Sequence, residues 1–492
     1  MKRIRNVLIW ILLVSLMPSC SRTEEESGGT PNAGSAEQQT ESEAAETAGE
    51  TEEAVPADYD FAVERADYKD ETVRLHTGTH AEWEYMAEEN SGDVVKNAVY
   101  ERNLATEEYL GVKFEFSSLP TYTGAADEVL NTVYSGIAAG DVPWHIVNGI
   151  NVFIVKGVIN GLFLNMENVD SINLNNPWWL PVEAPSGKGV YSTFTDASLT
   201  LYSDMYAMFF NKDLIRDLNL EDPFVMVQDG TWTLDAFISM ANQGSLDLDG
   251  DGKFNPGTDQ LGYLAKHAAN RAFWTSTGNT LISRENDTVA IKPIDEPMTQ
   301  VYDKMRAFLT DRNLVYVDRE PDIGVLARPF ADGLYLFMDN VIGASETMRE
   351  SEVDFGIVPL PKKDEAQEAY YSQIATSASA FYLPVNLPDR EMIGKVCETL
   401  SYYSYKDLVG AYYETALKSK YTRAPEDQLM LDYIRDGAST DFAFAYSNLF
   451  NNETNDIINW AWEDKDLAST YASKIKVWNT TLQTLLDAEL PD

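Results

Sequence analysis

Five residues in one short stretch, Asp247, Asp249, Asp251, Lys253 and Asp259, have the types and spacing to hold a hard cation. Carboxylates at alternate positions of a tight loop turn their oxygens towards one point, and Gly252 supplies the sharp turn at the sixth position. Lys253 offers its backbone carbonyl at the seventh position and Phe254 an inward apolar side chain at the eighth. Together they reproduce the first eight positions of an EF-hand calcium loop. The twelfth position, where a bidentate Glu belongs, holds Thr258, and Asp259 follows one place late. Asp259 closes the site if the Pro256-Gly257 turn adds one residue of slack. A donor set of oxygens alone favours Ca²⁺ over a transition metal, as a structural ion rather than a switch. The alternative is an acidic surface turn without metal.

Catalytic chemistry has weaker support. No G-x-S-x-G, H-E-x-x-H, Walker A or C-x-x-C pattern occurs. Ser473 and Lys476 satisfy S-x-x-K, but no K-T-G partner accompanies them. His76 and His80 are four apart, yet Gly78 and the adjoining strand pattern place them in a loop, a poor frame for a metal pair. With 79 carboxylates some pair always resembles a glycosidase dyad, so a glycoside hydrolase stays open as an alternative.

The elements that position these residues belong to a folded chain of 492 residues, 44% hydrophobic and 24% charged. The length allows about three domains, or two large lobes with extensions. A net charge of −42 argues against nucleic-acid partners and anionic headgroups. Two cysteines, Cys20 and Cys397, and four histidines exclude a disulfide framework and a Cys-rich metal centre. Cys397 shares a helix face with Ile393, Val396 and Leu400, which makes it a buried core thiol.

Lys2, Arg3 and Arg5 precede an apolar run over 7–17, too short for a comfortable membrane span but suited to a signal-peptide core. It ends in Leu16-Met17-Pro18-Ser19-Cys20, which resembles a bacterial lipobox, with Met17 where the usual Leu stands. The resemblance implies a signal peptide over 1–20, acylation of Cys20 and a protein anchored by lipid to the extracellular face of the cell membrane. An ordinary secretory signal is the alternative. Residues 21–56 contain no aromatic residue, Leu, Ile or Met, and carry a charge of −9, so they form a disordered acidic tether. Residues 57–492 retain −36.

The body opens with a strand at 73–76, a helix over 84–110 capped by Gly111, and a strand at 112–116. A helix with apolar positions Ala126, Val129, Leu130, Val133 and Ile137 follows, and then a strand from Ile146. This order predicts a doubly wound α/β sheet with ligand loops at the carboxyl ends of its strands. Further on, a strand at 206–210 leads into a helix from Lys212, and Thr233 is placed to cap another.

Gly140-Asp141-Val142-Pro143, Gly161-Leu162-Phe163, the stretch from Phe209 to Leu214, and Thr231-Trp232-Thr233 stand in an order that resembles the extracellular solute-binding proteins, family 1. These are the maltose-binding-like proteins of bacterial ABC transporters. The stretch from Asp354 to Lys362 and Lys420-Tyr421 are similar to the long Gram-positive lipoprotein members. The resemblance implies a two-lobed periplasmic-binding-protein-like fold of type II. Lobe I would take 57–200 plus 366–420, lobe II 201–365, and 421–492 would form C-terminal helices packed on both lobes. It implies a monomer, not an enzyme, that closes on a carbohydrate, an oligosaccharide by expectation, and delivers it to ABC-transporter permease subunits. A sensor or adhesin without transport is the other alternative.

Sugar sites combine flat apolar faces with planar polar groups. From the family pattern, lobe I would contribute Thr79, Glu82, Trp83, Asn148 and Asn151, and lobe II His267, Asn270, Trp274, Asp339 and Asn340. Trp274 would stack on a sugar ring and Asn151 would bond its hydroxyls. Trp178 and Trp179 read as packing near the cleft rim.

Overall fold

The computed structural model describes residues 61–491 except 90, 123, 286–287, 320–328, 349–350, 417–424 and 440. The expected signal peptide, Cys20, the tether and Lys420-Tyr421 lie outside the described residues. Among the described residues no helix is long and apolar enough to cross a membrane.

Two sheets organise the chain. In the first, strand Glu71–Gly78 pairs in parallel with Val112–Leu119 on one side and Ile146–Ile150 on the other. Ser379–Tyr382 then pairs antiparallel with Ile146–Ile150 and with Val190–Thr195, and Trp179–Glu183 closes the edge. The expected parallel start is present, but the complete sheet is mixed, because the chain returns to it from the far side late in the sequence. The second sheet runs in the order Val315–Asp318, Leu261–Lys266, Tyr335–Val341, Tyr206–Asn211 and Phe355–Val358.

The first long helix is Val94–Leu110 rather than 84–110. Gly92 sits at φ 77°, a left-handed conformation that stops any helix arriving from Trp83. Asp93 then caps the new start by accepting from the Lys96 N–H at 3.0 Å. Gly111 at φ 65° ends that helix, and Thr233 caps Leu234–Gln243 through the Ala236 N–H, both as expected.

Two crossings join the sheets, one after Thr195 and one before Ser379. They lie side by side: Met205 bridges to Ile374, and the Ala375 N–H donates to the Asp204 carbonyl at 2.7 Å. The C-terminal segment touches elements of both sheets, with Pro425–Asp436 packing on Phe355–Val358 of the second. Phe442–Ala445 packs on Asn151–Ile154 and Trp179–Glu183, Ile457–Trp462 on Glu296–Leu309, and Leu467–Leu486 on Thr288–Ile291.

Cys397 is fully buried in the apolar cluster beneath the first sheet, and burial pushes its thiol well up, as befits a packing residue. Trp178 and Trp179 belong to the same cluster. Their indole N–H groups converge on the Glu398 carboxylate at 3.0 and 2.8 Å, with Asn176 Nδ2 at 2.6 Å. With the Asn173 N–H at 3.2 Å, four donors on one buried carboxylate lock this corner.

Candidate ligand cleft and calcium loop

The parallel strands of the first sheet end at Gly78, Leu119 and Ile150 on the same edge. Thr79, Glu82 and Trp83 sit there on a 3-10 turn, Thr79–Glu84. Thr79 is exposed. Glu82 accepts a hydrogen bond from the Ser118 hydroxyl, and half-buried Trp83 packs towards Tyr412 with ring centroids 6.4 Å apart. Gly78 lets this turn close: a Cβ there would meet the His80 ring and the Thr121 hydroxyl at 2.5 Å. His80 Nε2 pairs with Ser379 Oγ at 3.0 Å, while its buried Nδ1 has no protein partner.

Asn148 is fully buried on the central strand. Its Nδ2 reaches Thr77 Oγ1 at 3.2 Å and its Oδ1 has no protein partner. Asn151 differs. Its Nδ2 donates to the Ala445 carbonyl at 2.9 Å and its Oδ1 accepts from the Tyr382 hydroxyl at 2.7 Å. Both ends of this carboxamide, 2% exposed, are engaged with protein, so its geometry fits a structural pin rather than the expected hydroxyl contact.

On the second sheet, Lys266 ends one strand and Asp339-Asn340 lie near the end of its parallel neighbour. Asp339 Oδ1 accepts from the Lys266 N–H at 2.7 Å, and its other oxygen has no partner. Burial pushes this carboxyl up to about 7. Asn340 Oδ1 accepts from the Val341 N–H at 2.9 Å and from Lys266 Nζ at 3.4 Å, leaving Nδ2 unpartnered. Asn270 takes the Tyr263 hydroxyl on Oδ1 at 3.1 Å and leaves Nδ2 unpartnered. His267, half-buried, sets its ring edge-on to Trp462 at 5.9 Å.

Trp274 corrects another expectation. It is 1% exposed and embedded in the main apolar cluster, so no ring face is presented for stacking. Its Nε1–H has no protein partner, and this leaves Trp274 as a donor rather than a platform.

Asn148, Asn270, Trp274, Asp339 and Asn340 thus each carry a buried polar atom without a protein partner. Each such group costs about 1–3 kcal/mol when left unmade. Asn148 lies on the central strand of the first sheet, Asp339 and Asn340 near a strand end of the second, and Asn270 and Trp274 in the segment after Lys266.

Sequence reasoning weighed His80 only as half of a metal pair and passed over Lys266, Asn455 and Asn459. Lys266 stands one place before the expected His267. The two asparagines lie in a segment read only as packing helices; Asn459 stands among the apolar residues of Ile457–Trp462, while Asn455 belongs to a polar run over 451–456 that gave no signal.

In the acidic loop over 247–259, carboxylate oxygens of Asp247, Asp249 and Asp259 lie within 4.8 Å of one another. Asp259 is fully buried and accepts from the Leu248 and Asn255 N–H groups at 2.9 and 2.8 Å. Those backbone donors hold its carboxyl below the usual range, in the anionic form a cation needs. Asp251 stands outside that trio and accepts from the Lys253 N–H at 2.8 Å. Converging anions from positions 1, 3 and 13 fit a divalent cation, with Asp259 in the closing place.

No protein-family model and no curated protein sequence matches this chain. Solved structures do. A cyclo/maltodextrin-binding protein complexed with maltotetraose matches 87% of this chain and 100% of its own, with TM-score 0.55 at 12% identity. The GacH receptor of Streptomyces glaucescens covers 85% and 100%, with TM-score 0.52 at 12% identity. The maltose/maltodextrin-binding domain from Bdellovibrio bacteriovorus, bound to maltotriose, covers 85% and 100%, with TM-score 0.50 at 13% identity. At this level of identity the likeness establishes the fold alone: the chain has a two-lobed, periplasmic-binding-protein-like α/β fold.

Proposed function

We propose that this protein captures a carbohydrate between its two lobes outside the cell and delivers it to the permease of an ABC transporter, without chemical turnover. The observation that carries the reading is the set of unpartnered buried polar atoms on Asn148 from the first sheet, Asp339 and Asn340 from the second, and Asn270 and Trp274 from the segment that follows Lys266. A polyhydroxylated ligand supplies many donors and acceptors at once and can satisfy them from both sides. The matched structures bound to maltotriose and maltotetraose point to the same ligand class.

Lobe I takes 57–200 plus 366–420 and lobe II 201–365, with 421–492 packed across both. The protein works as a monomer, lipid-anchored through Cys20 on the extracellular face of the cell membrane, and a structural Ca²⁺ sits in the loop of Asp247, Asp249 and Asp259. A thermal-shift screen with glucose, maltotriose, maltotetraose and further neutral saccharides tests the capture. Ligand binding raises the melting temperature with the logarithm of concentration. A flat response across the panel refutes the carbohydrate reading.

A further inference from the structure

We propose that Asn455, with Asn459 beside it, is a ligand-contacting residue that the C-terminal segment inserts between the two sheets, and that it recognises a neutral vicinal diol. The proposal rests on reading the cleft as a carbohydrate site. Asn455 is 1% exposed, yet neither Oδ1 nor Nδ2 of its side chain has a hydrogen-bond partner. A buried carboxamide with both ends unmade is costly, and an apolar side chain of similar size would pack more cheaply there.

The placement of Asn455 follows from its neighbours. Thr454 donates through Oγ1 to the Ala443 carbonyl at 2.7 Å. Ala443 belongs to Phe442–Ala445, whose last carbonyl is held by Asn151 at the carboxyl end of the central strand of the first sheet. On the other side, Asp456 lies 4.0 Å from Arg271, the residue after Asn270 on the second sheet's ligand edge. Asn455 therefore stands where the segment passes from one ligand edge to the other.

The backbone that presents it is fixed. Asn451 and Asn452 take left-handed φ values of 56° and 60°, a conformation asparagine tolerates, and turn the chain sharply. Glu453 then anchors the turn by accepting from Lys474 Nζ at 2.6 Å and Trp478 Nε1 at 3.2 Å. Asn459, 2% exposed, donates to Asp456 Oδ1 at 3.3 Å and leaves its own Oδ1 unpartnered.

A carboxamide offers an acceptor on one side and two donors on the other. Two adjacent hydroxyls present the complementary pair, one donating and one accepting. A carboxylate or an ammonium group would satisfy only half of it.

Asn455→Leu and Asn455→Asp in the full-length protein test the assignment by melting curves without sugar and by titration with glucose, maltotriose and maltotetraose. Without sugar, the Leu variant should melt at or above wild type, because a spare polar group has gone. Both variants should bind the sugar that wild type binds about tenfold more weakly or worse, since either one loses a donor to the diol. A Leu variant that melts well below wild type, or two variants with wild-type affinity, would overturn the assignment. Wild-type protein that binds none of the three sugars would instead overturn the cleft reading on which it rests.

Discussion

Replacing Asn151 by alanine should weaken the fold rather than the site. The substitution removes a 2.9 Å hydrogen bond to the Ala445 carbonyl and a 2.7 Å bond from the Tyr382 hydroxyl, both in a region that solvent barely reaches. The Tyr382 hydroxyl keeps its longer contact with the Asn151 backbone carbonyl at 3.3 Å, so its loss is about 1 kcal/mol. The Ala445 carbonyl is left with no side-chain donor, at about 1–3 kcal/mol. Together the cost is about 2–4 kcal/mol. Spread over a cooperative unit of this size, with unfolding entropy near 2.1 cal/mol/K per residue, it lowers the melting temperature by roughly 2–4 °C. The C-terminal segment should loosen first, because the lost bond is one of its ties to the first sheet. Scanning calorimetry of Asn151→Ala beside Asn148→Ala checks this. The Asn148 change deletes an already unpartnered oxygen and one 3.2 Å bond, and should cost less than about 1 kcal/mol. If Asn151→Ala melts like wild type while its sugar affinity collapses, the carboxamide serves the ligand and the structural assignment is wrong.

Three further outcomes are expected. Chelation by EDTA should lower the melting temperature of wild-type protein, and Asp249→Ala should remove that dependence; identical wild-type curves with and without EDTA reduce the loop to an acidic turn. Asp339, raised to about 7 by burial, keeps its proton in the folded state where the unfolded chain has lost it, so its contribution to stability falls as pH rises from about 4 through 7. Asp339→Asn should thus gain on wild type across that window, and parallel melting curves from pH 4 to 8 would contradict the burial argument. Cys20→Ser should release the protein from membranes into the medium, and retention on the membrane would count against the anchor.

Local signals carried much of the architecture. The Gly111 stop, the Thr233 cap and the 3.6-residue apolar spacing of Ala126–Ala139 are short-range physics, and each reads the same in sequence and structure. The start of the first long helix misled because its apolar pattern continues back through Tyr85, while Gly92 alone decides the break. Mixed strand directions were illegible, since Ser379–Tyr382 joins its sheet across a separation that no local pattern encodes. Asn148, Asn270, Asp339 and Asn340 were placed by resemblance, and each carries a spare polar atom, on a strand or in the turn after one. Asn151 has the same residue type on the same edge, but two long-range partners decide its role. Trp274 likewise shows that an aromatic side chain named for its face can present only its N–H. Asn455 escaped because its meaning depends on where a segment about 300 residues from the central strand comes to rest.

Capture of a sugar by polar atoms from both lobes should depend on Asn148 and Asn340. Calorimetric titration of wild type, Asn148→Ala and Asn340→Ala with the saccharide that gives the largest thermal shift tests it most directly. One site per chain is expected in wild type and affinity at least about tenfold weaker in each variant, with the Asn148→Ala melting curve close to wild type and that of Asn340→Ala lowered by the loss of its bonds to the Val341 N–H and Lys266. Wild-type affinity in both variants would contradict it.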